Sequence, residues 1–305
     1  MAHAHGKIIL LGEHAVVYGH AALAAGIERG ASAEARPAPA AVLGVGEARF
    51  APGQAEIGQA FAALLAELGD PSVEVDVTIE LPVGCGLGAS AAMGVAIARA
   101  VAENAVVRDD GATARQSAIE RAALAWERLF HGNPSGVDTA AALAGGCIAF
   151  SRQRGPANVP LGKDLVLAVG VAGKPASTRQ MVEGLAARRT RAPEEVEPRF
   201  ARIAELVQAG CVAASGGDLR TLGALMNENH IILRELGIST PDLDRACGLA
   251  LDATALGAKL TGAGGGGCVI ALATDSPDPI LAAWRSAGIE CFATRVHSAA
   301  AGVRV

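Results

Sequence analysis

The sequence predicts an α+β fold in one large domain or two compact ones, and three observations bear on that prediction. Strand-like and helix-like segments are mixed along the chain without the regular alternation of a doubly wound sheet. The 305 residues are 51% hydrophobic and 19% charged, a composition that folds, at a length that suits one large domain or two compact ones. Ser151 to Lys163, with Gly155, Pro156, Pro160 and Gly162, is the best candidate linker and divides the chain into 1–160 and 161–305.

Taken in order, Lys7 to Leu11 is a short apolar strand, and Ala21 to Ile27 and Ser32 to Arg36 are further strand-like runs. From Ala55 to Leu68, Ile57, Phe61, Leu64, Leu65 and Leu68 share one helical face. Val73, Val75, Val77 and Ile79 alternate with polar partners, the pattern of a half-buried strand over Val73 to Glu80. Pro82 and Gly84 break it. Leu81 to Ala98 carries no charge, but its proline and glycines make it a loop entering a buried helix rather than a membrane span. Helices are predicted over Ala89 to Asn104 and Ala114 to Phe130, then strands over Gly146 to Phe150 and Leu165 to Val171. Ser177 to Arg189, Pro193 to Ala214, Asp218 to Leu236 and Thr240 to Leu256 read as helices. Strands Cys268 to Ala273 and Glu290 to Val296 flank a last helix, Pro277 to Ala287. No repeat of solenoid length is present.

Six Phe, two Trp and one Tyr leave the cores to Ala, Val, Leu and Ile. The formal net charge of -5, the absence of a Lys/Arg run and the scarcity of stacking aromatics argue against a nucleic-acid partner. The six cysteines are scattered and lack a C-x-x-C pair, which fits reduced thiols in the cytoplasm better than a zinc site or a disulfide framework. Met1 to Lys7 has no signal-peptide apolar region and reads as a frayed start; His3 and His5 there could bind metal only adventitiously.

Three glycine-bearing segments carry the chemistry. Pro82-Val83-Gly84-Cys85-Gly86-Leu87-Gly88-Ala89-Ser90 lies between a predicted strand and a predicted helix. Glycines let backbone N–H groups approach a ligand, and the helix start adds free donors and partial positive charge. The segment is either a triphosphate cradle, with Ser90 as a hydroxyl ligand for Mg²⁺, or a plain glycine turn. No Lys-Ser/Thr pair follows it, so it is not a Walker loop. Lys259 to Cys268 contains Gly262, Gly264 and Gly267 in dinucleotide-fingerprint spacing, but a strand follows, and a glycine-rich hairpin beside a ligand site fits better. In Glu127 to Asp138 a helix runs into a Pro/Gly loop; Glu127 and Asp138 are either metal- or substrate-facing carboxylates or solvated surface ones.

Together these segments resemble the three signature motifs of the GHMP kinases (galactokinase, homoserine kinase, mevalonate kinase and phosphomevalonate kinase), in the family's order and spread from residue 6 to residue 268. Gly12-Glu13-His14-Ala15-Val16-Val17, followed by Tyr18-Gly19, is similar to the form found in mevalonate kinases, as are His131 to Asp138, Lys259 to Cys268, and Met226-Asn227 with His230 and Leu236-Gly237. Two departures keep the charges the chemistry needs: Ala89 stands where serine is common, and Ala-His leads into Gly6 instead of Ala-Pro. The chain is also short between Val42 and Leu81, a region that helps form the adenine pocket in the family, so no base-contacting residue is assigned.

The resemblance implies a two-domain GHMP kinase fold, with an N-terminal domain like ribosomal protein S5 domain 2 and a ferredoxin-like C-terminal domain. It implies transfer of the ATP γ-phosphoryl group to the C5 hydroxyl of mevalonate, with Mg²⁺ as cofactor, and relatives that are often homodimers. Asp138 matches the family's base and Lys7 its active-site lysine; a solvated Lys7 is the plain alternative. Pro82, Gly84, Cys85, Gly86, Leu87, Gly88, Ala89 and Ser90 match the phosphate-binding segment, and Ser90 and Glu127 the Mg²⁺ ligands. Glu13, His14, Thr178 and Gly264 match positions near the substrate, although His14 is equally readable as a hydrogen-bonded structural histidine. Other GHMP kinases are the nearest alternative. A sensor that keeps the pocket but has lost turnover, or a nicotinamide oxidoreductase resting on Gly262 to Gly267 alone, explains less.

Overall fold

The computed structural model describes residues 1–82, 84–104, 111–131, 135–174 and 176–298. The chain opens with strand β1 (Ala2–Leu11), a 3₁₀ turn (Ala15–Tyr18), β2 (Ala22–Pro37), β3 (Val42–Val45), β4 (Ala48–Phe50), helix α1 (Ala55–Ala66) and β5 (Val73–Ile79). Then come α2 (Ala89–Asn104), α3 (Gly111–His131), α4 (Val137–Ala144), β6 (Cys147–Ser151), β7 (Gly155–Asn158) and β8 (Leu165–Ala172). The remainder is α5 (Thr178–Arg191), α6 (Pro193–Gly216), α7 (Leu219–Glu235), α8 (Pro241–Asp252), β9 (Gly257–Thr261), β10 (Gly267–Leu272), α9 (Asp278–Ser286) and β11 (Glu290–Val296).

Two compact units form. The first comprises Met1–Lys7, Arg29–Val83 and Gly88–Gly145; the second comprises Ile8–Glu28, Gly84–Leu87 and Gly146–Val305. The chain passes from one to the other inside β1 and inside β2.

In the first unit the later half of β2 pairs antiparallel with β5, from Ala31 opposite Ile79 to Pro37 opposite Val73. β3 adds parallel to β5, and β4 antiparallel to β3. Alternation buries Val73, Val75 and Val77, which share one face of the strand. α2 packs against β5, α3 and α4, and α1 packs against α3. α2 buries nearly its whole length because it is built of Ala with Met93, Val95, Ile97 and Val101. Such a helix has no polar face to offer water and must be central.

In the second unit a four-stranded antiparallel sheet has the order β11-β8-β10-β9. Helical residues Phe200, Ile203, Leu233, Leu243 and Trp284 form one buried cluster with Val269 and Ala271 of β10. The early half of β2 pairs with β6, and β6 with β7.

The start is not frayed as expected: Ala2 and Ala4 are buried on β1, which pairs with β2. The two expected strands from Ala21 to Arg36 are one 16-residue strand. Gly30, between the two expected runs, allows close backbone packing, since a Cβ there would lie 1.9 Å from the Ala4 carbonyl oxygen. Gly155–Asn158, inside the expected linker, form β7 and pair with Ile148–Ser151.

Candidate active site

The first unit gathers four elements around one ion pair. Lys7 lies on β1, Ser90 in the first turn of α2, Glu127 near the end of α3 and Asp138 in the first turn of α4. The Lys7 ammonium sits 3.1 Å from Asp138 Oδ1, with the lysine side chain 4% exposed and the aspartate 32% exposed. A nearly buried cation thus faces a carboxylate that keeps an open side. Gly136, at φ 90°, turns the chain into α4 and sets the direction of Asp138. Gly88, at φ +71°, passes against the lysine stem: a Cβ there would meet Lys7 Cγ at 2.7 Å.

Ser90 Oγ donates to Glu127 Oε1 at 2.5 Å. The Trp126 indole N–H donates to the Ser90 carbonyl at 3.0 Å and reaches Ser90 Oγ at 3.3 Å, so α3 grips the first turn of α2 at this point. Glu127 is only 2% exposed. Burial raises its carboxyl to about 7; the Asp138 charge adds to the rise, while Ser90 and Lys7 oppose it. A buried carboxylate that is costly to ionise beside a hydroxyl is a hard-oxygen pair that a divalent cation would favour. Among the described residues no group of three or more His, Cys, Asp or Glu could hold a metal ion by itself, so a cation at Ser90 and Glu127 would draw further oxygens from phosphates and water.

The second unit holds Glu13, His14, Gly84 to Leu87, Thr178 and Gly264, while Pro82 and Ala89 belong to the first. The turn Gly84–Leu87 lies against the β9–β10 hairpin. Gly86, at φ +80°, comes so close that a Cβ would lie 2.9 Å from the Thr261 carbonyl oxygen, and a Cβ on Gly262 would lie 2.9 Å from Gly86 Cα. Cys85 and Leu87 are buried and Pro82 is half-buried, whereas Gly84 is exposed. Any phosphate contact from Cys85 or Leu87 is therefore made by backbone. Val83 and Gly132–Pro134 of the expected motifs lie outside the described residues.

Glu13 is fully buried and accepts a hydrogen bond from the Lys259 ammonium, which also donates to the carbonyls of Leu260 at 2.7 Å and Ile9 at 3.3 Å. His14 adopts φ 60° and bonds the Ala263 carbonyl through Nε2 at 2.9 Å. That partner requires the proton on Nε2. Burial lowers the His14 pKa, only partly offset by this bond. Gly264 lies in the same hairpin turn at φ +75°. Thr178 opens α5 and is exposed; the residue before it, Ser177, caps the helix by accepting from the Gln180 N–H.

Two supporting residues escaped the sequence reading, and a third sat in a motif with no role assigned. They are Trp126, Asn229, whose Oδ1 accepts from the Gly12 N–H at 3.0 Å, and Thr261, whose Oγ1 accepts from the Ile9 N–H at 2.9 Å. Lys259 was part of a recognised motif, but nothing in its spacing told of complete burial against Glu13.

Residues 55–146 match the model described as GHMP kinases N terminal domain, and residues 196–290 match GHMP kinases C terminal. A mevalonate kinase of Pyrococcus horikoshii is 34% identical, over 97% of this chain and 95% of its own. The crystal structure of L. major mevalonate kinase in complex with R-mevalonate superposes with a TM-score of 0.86 at 30% identity, covering 98% of this chain and 96% of that one. The Methanococcus jannaschii mevalonate kinase structure shares the fold with a TM-score of 0.79 at 24% identity, over 97% of each chain.

Proposed function

The chain belongs to the GHMP kinase family, on its mevalonate kinase branch, and from that premise we propose that it transfers the γ-phosphoryl group of ATP to the C5 hydroxyl of mevalonate. The observation that carries the reading is the Lys7–Asp138 ion pair, 3.1 Å long, with the carboxylate side open.

Asp138 accepts the C5 hydroxyl proton on a carboxylate oxygen as the oxygen attacks the γ-phosphorus. Lys7 holds that carboxylate in place and offsets negative charge that builds around the transferred group. Backbone N–H groups from Gly84 to Ser90, with the start of α2, hold the phosphates. Ser90 and Glu127 are the residues that would bind Mg²⁺, which when bound neutralises charge on the phosphate oxygens. Glu13, His14, Thr178 and Gly264 are assigned to mevalonate, with Lys259 fixing the Glu13 carboxylate. Reduced thiols and the absence, among the described residues, of a helix long and apolar enough to cross a membrane support cytoplasmic action.

The test is an acceptor panel with ATP and Mg²⁺: mevalonate, phosphomevalonate, homoserine and galactose, followed by ADP release, with the product's phosphate position read by NMR. The proposal expects mevalonate to be the preferred acceptor, with phosphate on C5. Preference for another acceptor, or phosphate on the 3-hydroxyl, contradicts it.

A further inference from the structure

We propose that Cys85 and Cys268 form a thiol pair that peroxide closes to a disulfide, making the Gly84–Leu87 turn an oxidant-sensitive modification site. The two cysteines are 183 positions apart by number, yet the fold lays their backbones together. Cys268 follows Gly267 at the start of β10, and a Cβ on Gly267 would lie 3.2 Å from the Cys85 carbonyl oxygen and 3.5 Å from Cys85 Cα. The Cys85 thiol is hydrogen-bonded to Cys268, and both cysteines are buried and outside any disulfide. Two thiols in hydrogen-bond contact are near enough for a disulfide to be drawn between them.

The six cysteines also differ in reactivity. The Cys268 hydrogen bond lowers Cys85 to about 7, against the opposing effects of burial and Glu290. Burial pushes Cys147 and Cys247 up to about 12 and raises Cys211 and Cys291. The thiolate is the nucleophile, so Cys85 is the site that reacts near neutral pH. Its neighbour Gly84 is exposed, which leaves a small oxidant a short approach.

The chemistry balances with hydrogen peroxide as oxidant. The Cys85 thiolate attacks one peroxide oxygen, the O–O bond breaks, and the departing hydroxide takes a proton to become water, leaving a sulfenic acid. Cys268 sulfur then attacks the Cys85 sulfur; the S–O bond breaks, and hydroxide leaves with the Cys268 proton as a second water. Two thiols are oxidised and one peroxide is reduced to two waters. The bridge would tether the turn to β10 and remove the freedom its N–H groups need to follow a phosphate.

That consequence rests on the phosphate-binding reading; the bridge itself does not. The experiment treats the reduced full-length protein with hydrogen peroxide, digests it without reductant, and seeks the linked peptide by mass spectrometry. Phosphoryl transfer is assayed before and after dithiothreitol. The expected result is a Cys85–Cys268 peptide with activity down about tenfold and restored by dithiothreitol. In Cys268→Ala, dithiothreitol should restore nothing, because Cys85 is oxidised beyond sulfenic acid. Oxidation confined to Cys211 or Cys291, or a reversible loss that persists in Cys268→Ala, overturns the proposal. The linked peptide decides the matter in the unaltered protein should Cys268→Ala fail to fold, or should no acceptor be phosphorylated.

Discussion

Lys7 has a stem packed against Gly88 and an ammonium against Asp138. A cation so buried needs an anion beside it to offset its lost hydration, which ties the position to its partner. Glu127 is the complementary case, a carboxyl raised to about 7 by burial. Glu127→Gln removes the anionic oxygen and should increase the Mg²⁺ concentration needed for half-maximal rate by about tenfold; an unchanged metal titration counts against ligation. Two histidines set a pH limit. Burial lowers both His14 and His230; at His230 the Lys259 charge lowers it further, while Asp244 opposes. The unfolded chain then binds protons that the native state refuses, so their contribution is fully present above the ordinary histidine value of 6.5 and is lost as pH falls through the lower folded values. Urea unfolding should show stability falling below about pH 6.5, with a shallower fall in His230→Gln. Equal slopes in the two proteins would remove His230 from this role.

Among the elements, the end of β1 and the β9–β10 hairpin are joined by buried polar groups rather than apolar packing alone. Lys259 ties Glu13 to two carbonyls, Thr261 takes the Ile9 N–H, and His14 takes the Ala263 carbonyl. Lys259→Met deprives a fully buried carboxylate of its cation and should cost about 3–5 kcal/mol in denaturant unfolding. Adding Glu13→Gln should return part of that loss, because both charges then leave together. A double variant no more stable than Lys259→Met would show that the pair is not coupled. Gly86→Ala places a side chain at φ +80° and into the Thr261 carbonyl. It should raise the KM for ATP by about tenfold or more while mevalonate KM moves little.

For the molecule as a whole, much was legible where residue type and spacing dictate structure. The apolar spacing of α1, the alternation of β5 and the glycine turn before α2 all appear at or near their expected places. Other features were hidden for physical reasons. Ala2, His3, Ala4 and His5 alternate, but small and polar side chains carry little strand signal, so the start of β1 was missed. Residues 28–31 fall between two expected strands because the backbone contact of Gly30 with Ala4 is invisible in one dimension. β3 and β4 are too short and too mixed to show a period. Ser90 and Glu127 are bonded across 37 positions, and Glu13 and Lys259 across 246; only the family motifs pointed to the first pair. The crossing of the chain between units inside β1 and β2 left no compositional mark at all.

The central claim is that Asp138, held by Lys7, takes the proton of the attacking hydroxyl. It is tested most directly by single-turnover phosphoryl transfer from ATP to mevalonate in Asp138→Asn, with ATP affinity and melting temperature measured on the same preparation. The account predicts a rate lower by about two orders of magnitude or more, with affinity and melting temperature close to those of the unaltered protein. A near-normal rate would contradict it.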